Sequence, residues 1–531
     1  MRIRTAIRTR LVAAALVGGL TLAGCGGSGD SGESSSKDGP TGGHHEAGPL
    51  PAQPTTGPGD TTSGAAEGEQ RDFAPSPTPD PDYLSTFALD VDTASYGYAR
   101  RTLAQGRLPD PSTVRPEEFV NSFPQDYPRP DGNGFSVTVD GARTDEDRWS
   151  LVRVGLATGA PEGDPGRDAA RRPPAALTFV IDISGSMAEP GRLDLVRESL
   201  DLMVDRLRDD DSLALVTFSG NAETRLPMTR LGDSRSRIHE VIDGLQPTDS
   251  TNVEAGITTG YQEAVEGRRP GATNRVVLLS DALANTGDTS ADGILERVAD
   301  ARREHGITLF GVGVGSEYGD AFMERLTNRG DGHTTYVSDT DDARAVFTEE
   351  LPRHIELRAR DAKAQVAFDP ATVEQFRLIG YENREVADED FRDDRVDGGE
   401  IGPSHTVTAL YAVRTRPGAS GHVATATVRW LDPSTRAPHE ESGTVETGAL
   451  ERGLWTQEDS GFQVAALAAY FADALRRPSS GWSGSSDYAR LPGALPLPGL
   501  ADRAARIAES SDSRPVRDLA SAIRQAEELA G

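Results

Sequence analysis

Between residues 175 and 355, short apolar runs alternate with longer segments in which apolar residues recur every three or four positions. The runs predict buried strands, and the longer segments predict amphipathic helices. Strands are expected at 176–182, 212–219, 274–280, 307–314 and 333–337, with 222–229 as an antiparallel edge strand. Helices are expected at 192–208, 234–244, 252–266, 290–305, 319–328 and 341–351. This alternation predicts an α/β fold with a doubly wound, mainly parallel six-stranded sheet that is covered by helices on both faces.

On either side of this region the pattern changes to alternation of apolar and polar residues, which is typical of antiparallel strands. Such strands are expected at 134–139 and 149–156 before the region, and at 363–369, 373–380, 404–414, 422–432 and 441–447 after it. Three helices are then expected near the end, at 462–475, 500–508 and 516–529. The predicted domains are therefore 83–173, the central 174–356, an antiparallel β domain at 357–450 and a helical segment at 451–531. We expect the two sets of flanking strands to pair in one sandwich-like body, with the central region as an insertion whose ends lie close together.

The first residues have the form of a bacterial lipoprotein signal peptide. A basic start is followed by an apolar stretch from Leu11 to Leu22, and this ends in Leu22-Ala23-Gly24-Cys25, the pattern of a lipobox. The stretch is too short for a stable helix across a bilayer. We therefore expect residues 1–24 to be removed and Cys25 to carry acyl chains, palmitate among them, that anchor the protein on the extracytoplasmic face of the cell membrane. Residues 25–82 are rich in Gly, Ser, Pro and Thr, which predicts a disordered tether.

The composition excludes several classes of function. The 531 residues include 84 acidic and 55 basic side chains, and the formal net charge is −29. A nucleic-acid-binding protein would need a basic face, so that class is not expected. Cys25 is the only cysteine, which excludes disulfide bonds within the chain and zinc sites built from cysteines.

Oxygen-bearing side chains lie where three elements of the central region begin or end. Asp182, Ser184 and Ser186 follow the apolar run 178–181 at alternate positions, Thr251 precedes a predicted helix, and Asp281 ends another apolar run. Ligands of open α/β sheets bind at the carboxyl ends of the strands, so these loops are expected to converge there. Hard divalent cations such as Mg²⁺ prefer oxygen ligands. The sequence therefore predicts a cation site, with Mg²⁺ as the expected ion and Mn²⁺ or Ca²⁺ as alternatives.

The pattern Asp182-x-Ser184-x-Ser186 with Thr251 and Asp281 resembles the metal-ion-dependent adhesion site of von Willebrand factor type A domains, whose fold is Rossmann-like. The resemblance implies that the three hydroxyls coordinate the ion directly and that the two carboxylates do so directly or through water. One departure is Ala282, where the family usually has glycine. The flanking segments 85–96, 376–384 and 402–411 resemble those of YfbK-type bacterial surface proteins, which have an N-terminal von Willebrand-associated domain and a C-terminal domain of unknown function.

This resemblance predicts metal-dependent protein binding, as an adhesion or assembly module. A partner protein would fill the open coordination position of the ion with an acidic side chain. Two alternatives remain: a subunit or adaptor of an ATPase-driven assembly machine, and a metal-dependent hydrolase. No His, Lys or Cys lies in the three site loops, so we expect that the protein is not an enzyme.

Three other motifs are interpreted structurally. Asp90-Val-Asp92 is expected to cap a helix that starts near Ser95, and the glycines of Gly311-Val-Gly313-Val-Gly315 are expected to allow close packing of a strand and a helix. The acidic run 388–397 is expected to be a solvated loop, with a weak calcium site as the alternative.

Overall fold

In the computed structural model of the chain, the described residues run from Tyr83 to Ala530, with gaps at 90–91, 124, 131, 133, 147, 160–172, 249, 282–289, 291–292, 297, 299–303, 316–321, 324–325, 328–332, 338–339, 348–350, 352–354, 356, 383, 395, 397, 434, 457–458 and 478–489. The predicted signal peptide, Cys25, the tether and Ala282 lie outside the described residues. Within them, no helix has the length and apolarity that crossing a membrane requires.

The elements follow one another in an order close to the predicted one. The strands are β1 (Leu84–Ala88), β2 (Phe135–Arg143), β3 (Trp149–Thr158), β4 (Ala175–Asp182), β5 (Ser212–Phe218), β6 (Ala222–Arg230), β7 (Thr273–Ser280), β8 (Thr308–Val314), β9 (His333–Val337), β10 (Arg360–Phe368), β11 (Val373–Leu378), β12 (Thr406–Thr415), β13 (His422–Leu431) and β14 (Pro438–Glu446). The helices with complete bounds are α1 (Ala94–Ala104), α2 (Pro116–Asn121), α3 (Leu193–Arg206), α4 (Arg235–Asp243), α5 (Val253–Glu266), α6 (Thr340–Ala345), α7 (Ser460–Arg476), α8 (Leu497–Glu509) and α9 (Arg514–Ala530).

The central region forms the predicted doubly wound sheet. In the described part of the chain this sheet has six strands in the order β6-β5-β4-β7-β8-β9. Only the β5–β6 pairing is antiparallel, which confirms the predicted antiparallel edge. Side chains of β4 alternate between the two faces: Phe179 packs in the core with α3 and α4, and Val180 packs in the core with α5. Because both faces are buried, the strands appear in the sequence as continuous apolar runs.

The flanking strands form the expected sandwich, and each of its sheets combines strands from both sides of the central region. Among the described residues, one sheet has the order β1-β10-β13-β14 and the other has the order β11-β12-β3-β2. Strand β1 pairs with β10, and β3 pairs with β12. Apolar side chains such as Val154 and Val428 fill the space between the two sheets. Neither flank therefore completes a sheet without the other.

The C-terminal helices cover the outer face of the β11-β12-β3-β2 sheet. Helix α7 is buried along almost all of its length, because it packs between this sheet and helices α2, α8 and α9. Phe119 of α2 and Phe471 of α7 meet edge to face at 5.9 Å between ring centroids. The helical segment is thus a third layer of the sandwich body.

The two ends of the central region meet at Thr273, the first residue of β7. The Thr273 amide donates to the carbonyl of Pro174 at 2.9 Å, and its hydroxyl donates to the carbonyl of Ile355 at 2.7 Å. The central region is therefore an insertion with adjacent ends. A buried ion pair between Arg275 and Glu400, at 2.8 Å, also joins it to the sandwich.

The prediction that the carboxylates of the segment 90–92 cap a helix is wrong for Asp92. Helix α1 begins at Ala94 with Thr93 at the N-cap; the Thr93 side chain makes no capping hydrogen bond, and Glu118 accepts from the amide of Ser95 in the first turn. The buried Asp92 carboxylate instead accepts from the amide of Thr334 in β9 at 2.9 Å, and from Arg384 at 3.4 Å. Asp92 thus joins the edge of the central sheet to the sandwich. Asp90 lies outside the described residues.

The described part of the acidic run at 388–397 is largely exposed or partly exposed to solvent, as predicted, but it is not an irregular loop throughout. Its first part is a short 3₁₀ helix, Asp388–Arg392. Asp388 accepts a hydrogen bond from Thr86 at 2.5 Å, and Asp394 forms an ion pair with Arg429 at 2.6 Å. These carboxylates serve to hold the segment against the β1-β10-β13-β14 sheet.

Candidate metal centre

Strand β4 delivers the first predicted ligand. Asp182 is the last residue of β4 and is fully buried. Its Oδ1 accepts from the amide of Ser184 at 2.8 Å, and its Oδ2 accepts from the hydroxyl of Ser280, at the end of the neighbouring β7, at 2.6 Å. The carboxylate is thus fixed between its own loop and the next parallel strand.

The two predicted serine ligands lie on the tight turn that follows. Ser184 precedes a short 3₁₀ helix, Gly185–Ala188, and its hydroxyl is 3.1 Å from the hydroxyl of Ser186. Alternate positions on this turn therefore place two hydroxyl oxygens side by side, next to the Asp182 carboxylate.

The loop that carries Thr251 is held against this turn by backbone hydrogen bonds. The amide of Thr248 donates to the carbonyl of Ile183 at 2.6 Å, and the amide of Asn252 donates to the carbonyl of Ser219 at 2.7 Å. Ser250 adopts a positive φ of 70°, and the nearly buried Thr251 follows it directly. Asn252 then caps α5 by accepting from the amide of Ala255. These bonds hold the loop of Thr251, at the start of α5, against Ile183, the residue that precedes Ser184.

Asp281 follows β7 directly and has an unexpected partner. Arg192, which precedes α3, donates from Nη1 to Asp281 Oδ2 at 2.8 Å and to the carbonyl of Ser186 at 3.0 Å. Asp281 is fully buried, and its other oxygen, Oδ1, has no hydrogen-bond partner among the described residues. A buried carboxylate oxygen without a partner costs about 1–3 kcal/mol or more.

Burial also affects the protonation of the site. Burial raises the pKa of Asp182 to about 6, and the hydrogen bonds from Ser280 and Ser184 offset part of that rise. The negative charge of Asp281 adds a smaller upward contribution. Two carboxylates therefore lie close together in a dry environment, which is an arrangement that a divalent cation stabilises.

The residues present fit a divalent cation. The site offers the carboxylates of Asp182 and Asp281 and the hydroxyls of Ser184, Ser186 and Thr251, a set of oxygen donors that suits Mg²⁺, Mn²⁺ or Ca²⁺. The orphaned Oδ1 of Asp281 is the atom that such an ion would satisfy. No cluster of three or more His, Cys, Asp or Glu with the arrangement of a metal site occurs in the described part of the chain, and a site with only two carboxylates would not form such a cluster.

Two residues of the site could not be identified from the sequence. Ser280 is the last residue of an apolar run, and Arg192 is part of the pattern that predicts α3. Their partners, Asp182 and Asp281, are 98 and 89 residues away in the chain, so only the fold brings them together.

Family models match most of the described chain. The model of the von Willebrand factor type A domain matches residues 176–349, a model described as von Willebrand factor matches 70–152, and a model of the YfbK C-terminal region matches 355–491. The uncharacterized protein YfbK of Escherichia coli is 38% identical over 337 residues, which are 62% of this chain and 57% of that protein. The human inter-alpha-trypsin inhibitor heavy chain H3 is 26% identical over 32% of this chain and 20% of its own length.

Among solved structures, a von Willebrand factor type A protein from Catenulispora acidiphila aligns with a TM-score of 0.46 and 15% identity, over 71% of this chain and 87% of that one. The family match over the central region, together with its sheet, defines a von Willebrand factor type A domain protein. The matches on both flanks and the identity to the E. coli protein place the chain among the YfbK-like members of that class. We call residues 174–356 the A domain.

Proposed function

We propose that the protein binds another protein through a divalent cation in the A domain, as an adhesion or assembly module on the outer face of the cell membrane. The cation would be held by Asp182, Ser184, Ser186, Thr251 and Asp281. An acidic side chain of the partner would complete its coordination.

One observation carries this proposal: Asp281 Oδ1 is fully buried without a partner in the described structure, whereas every other oxygen of the two site carboxylates accepts a hydrogen bond. The fold thus leaves one strong oxygen donor available on a carboxylate that Arg192 ties to the turn of Ser184 and Ser186. Five oxygen donors from the protein leave about one position of an octahedral ion for an external ligand.

The make-up of the site favours binding over catalysis. Arg192 is the one basic side chain hydrogen-bonded to the site carboxylates in the described structure, and a guanidinium does not act as a base because it stays protonated. The site loops contain no His, Lys or Cys. We therefore propose that the protein is not an enzyme.

The lipobox at Leu22-Ala23-Gly24-Cys25 supports the proposed location. Mass spectrometry of the membrane fraction should find acyl chains on Cys25 as the first residue, and Cys25→Ser should leave the precursor unprocessed. An unmodified Cys25 in the mature wild-type protein would contradict the lipid anchor.

The metal site is tested by calorimetric titration of MgCl₂ and MnCl₂ into the whole protein. We expect binding with a Kd of about 10⁻³ M or tighter, by analogy with the weakest calcium sites of extracellular modules. Asp182→Asn and Asp281→Asn should each weaken this binding at least about tenfold. Asp209→Asn is the matched control, since this exposed carboxylate pairs with Arg235 outside the site. Equal affinity in all of these variants would contradict the proposal.

A further inference from the structure

Arg192 is built into the metal site although it cannot bind a cation. Its side chain is 7% exposed and bridges two site loops, since Nη1 donates to Asp281 Oδ2 at 2.8 Å and to the carbonyl of Ser186 at 3.0 Å. Gly315, with φ of 95°, provides the room, because a Cβ there would lie 3.1 Å from Arg192 Nε. The guanidinium has only donors and remains charged.

The formal charges of the buried groups do not balance when a divalent ion is added. Asp182 and Asp281 contribute −2 and Arg192 contributes +1, so the buried site carries −1 and would carry +1 with the ion. The hydroxyls of Ser184, Ser186 and Thr251 are neutral. Glu189 also pairs with Arg192, at 2.8 Å, but its side chain is 65% exposed, so water screens its charge. Without Arg192 the loaded site would be neutral.

The charge of Arg192 has two consequences in this poorly hydrated site. Before loading, the site attracts the cation less strongly than two free carboxylates would, because the guanidinium already neutralises Asp281. The loaded site also attracts an anionic ligand, because its net charge of +1 is costly in a dry environment until a negative charge binds next to it. We propose that Arg192 is the specificity-determining residue that makes cation binding depend on a carboxylate from the partner. This inference rests on the proposed function and specifies how the ion and the partner are coupled.

A purely structural role predicts a different result. If Arg192 only clamped the two loops, its removal would release Asp281 and weaken cation binding. If Arg192 sets the charge, its removal should strengthen the binding of the ion alone and weaken the effect of the carboxylate. The direction of the change therefore separates the two roles.

The test is calorimetric titration of MgCl₂ into the whole protein, with and without excess sodium acetate as the carboxylate, after correction for the Mg²⁺–acetate complex. We expect acetate to tighten Mg²⁺ binding by about tenfold in the wild type, within the usual range of coupling between ligands. Arg192→Gln should bind Mg²⁺ alone about tenfold more tightly and lose most of the acetate effect. Arg192→Lys should behave like the wild type, and so should Arg206→Gln, which removes an exposed arginine at the other end of α3.

Glu189→Gln provides a second variant that is safe for folding, because Glu189 is mostly exposed. It should have the opposite effect and weaken the binding of Mg²⁺ alone by about twofold, as expected for a screened charge. The role of Arg192 would be overturned if Arg192→Gln bound Mg²⁺ no more tightly than the wild type, or if acetate had no effect on the wild type. The metal site itself would still stand in either case if Asp182→Asn abolished Mg²⁺ binding. Absence of Mg²⁺ binding in the wild type and in Arg192→Gln, with and without acetate, would overturn both proposals.

Discussion

The hydrogen bond from Ser280 orients the carboxylate of Asp182, one of the proposed ligands of the cation. Both residues are fully buried, and the hydroxyl lies 2.6 Å from the carboxylate. Ser280→Ala should weaken Mg²⁺ binding by about tenfold, because groups that orient a metal ligand usually contribute 10- to 100-fold in affinity. Calorimetric titration of the variant measures this effect directly.

Thr178→Val is the matched control for that change. Thr178 is also fully buried, on β4, and its hydroxyl has no hydrogen-bond partner in the described structure. Its removal should leave Mg²⁺ affinity unchanged and cost no stability. A similar loss of affinity in both variants would mean that the effect comes from packing in the sheet and not from the hydrogen bond.

At the scale of residues, the sequence predicted those whose local pattern shows their chemistry. Asp182, Ser184 and Ser186 are recognisable because they follow one another at alternate positions after a strand. Arg192 is not recognisable, because an arginine at the start of a helix is usually solvated. Its burial against Asp281 follows from the parallel pairing of β4 with β7, which is a long-range contact.

At the scale of elements, a histidine of α4 pairs with two carboxylates of α3. His239 Nδ1 lies 2.6 Å from Asp201, and Nε2 lies 3.3 Å from Asp205. The hydrogen bond with Asp201 is the main cause that raises the pKa of His239 above its ordinary value of 6.5. The protonated form therefore stabilises the folded state fully below about pH 6.5, and this contribution is lost as the pH rises through the higher folded pKa.

His239→Gln should accordingly lower the melting temperature more at about pH 5.5 than at about pH 9. The stability involved is less than about 1 kcal/mol, because the pair is partly exposed. The pH-dependent part of the loss should vanish in an Asp201→Asn background, as a double-mutant cycle would show. A loss of equal size at both pH values would mean that the histidine acts only through packing.

The glycines of β8 are explained by close packing, as predicted, although only one of the two contacts is with a helix. A Cβ on Gly311 would lie 2.7 Å from Thr327 in a helical segment, and a Cβ on Gly313 would collide with the ring of Tyr336 on β9. Gly313→Ala should lower the free energy of unfolding by about 1–3 kcal/mol in urea denaturation, because the ring must move. Gly448→Ala, where a Cβ meets nothing, should be close to neutral.

Elements with a strong internal pattern were predicted within a few residues, and elements defined by tertiary contacts were not. Strand β1 was missed, because five residues followed by an acidic segment show little periodicity and its partner β10 is distant in the chain. Helix α1 was expected only as a helix that starts near Ser95, one residue after its observed start at Ala94. Its first turn includes Gly97, a poor helix former, and is held by Glu118, which accepts from the amide of Ser95 at 2.8 Å.

At the scale of the whole molecule, the pairing of strands from both flanks predicts which fragments fold. A chain that ends at Leu351 lacks β10 to β14, so β1 and β3 lose the partners with which they pair. Their unpaired edges and the exposed apolar face should make this fragment insoluble or unfolded. A soluble fragment in which residues 83–158 resist limited proteolysis as well as the A domain does would contradict this expectation.

The complementary deletion tests whether the A domain is an insertion. Pro174 and Ile355 both bind Thr273, so replacing residues 175–355 with a short Gly-Ser linker should join the flanks without strain. The two sheets of the sandwich and its helical layer remain complete in that variant, because all of their strands and helices lie outside the deleted residues. Closing the chain with a short linker costs little free energy. The variant should unfold cooperatively and retain protected amides in β3 and β12, measured by hydrogen exchange. Loss of protection in those strands would show that the sandwich needs the A domain, through contacts such as Arg275–Glu400.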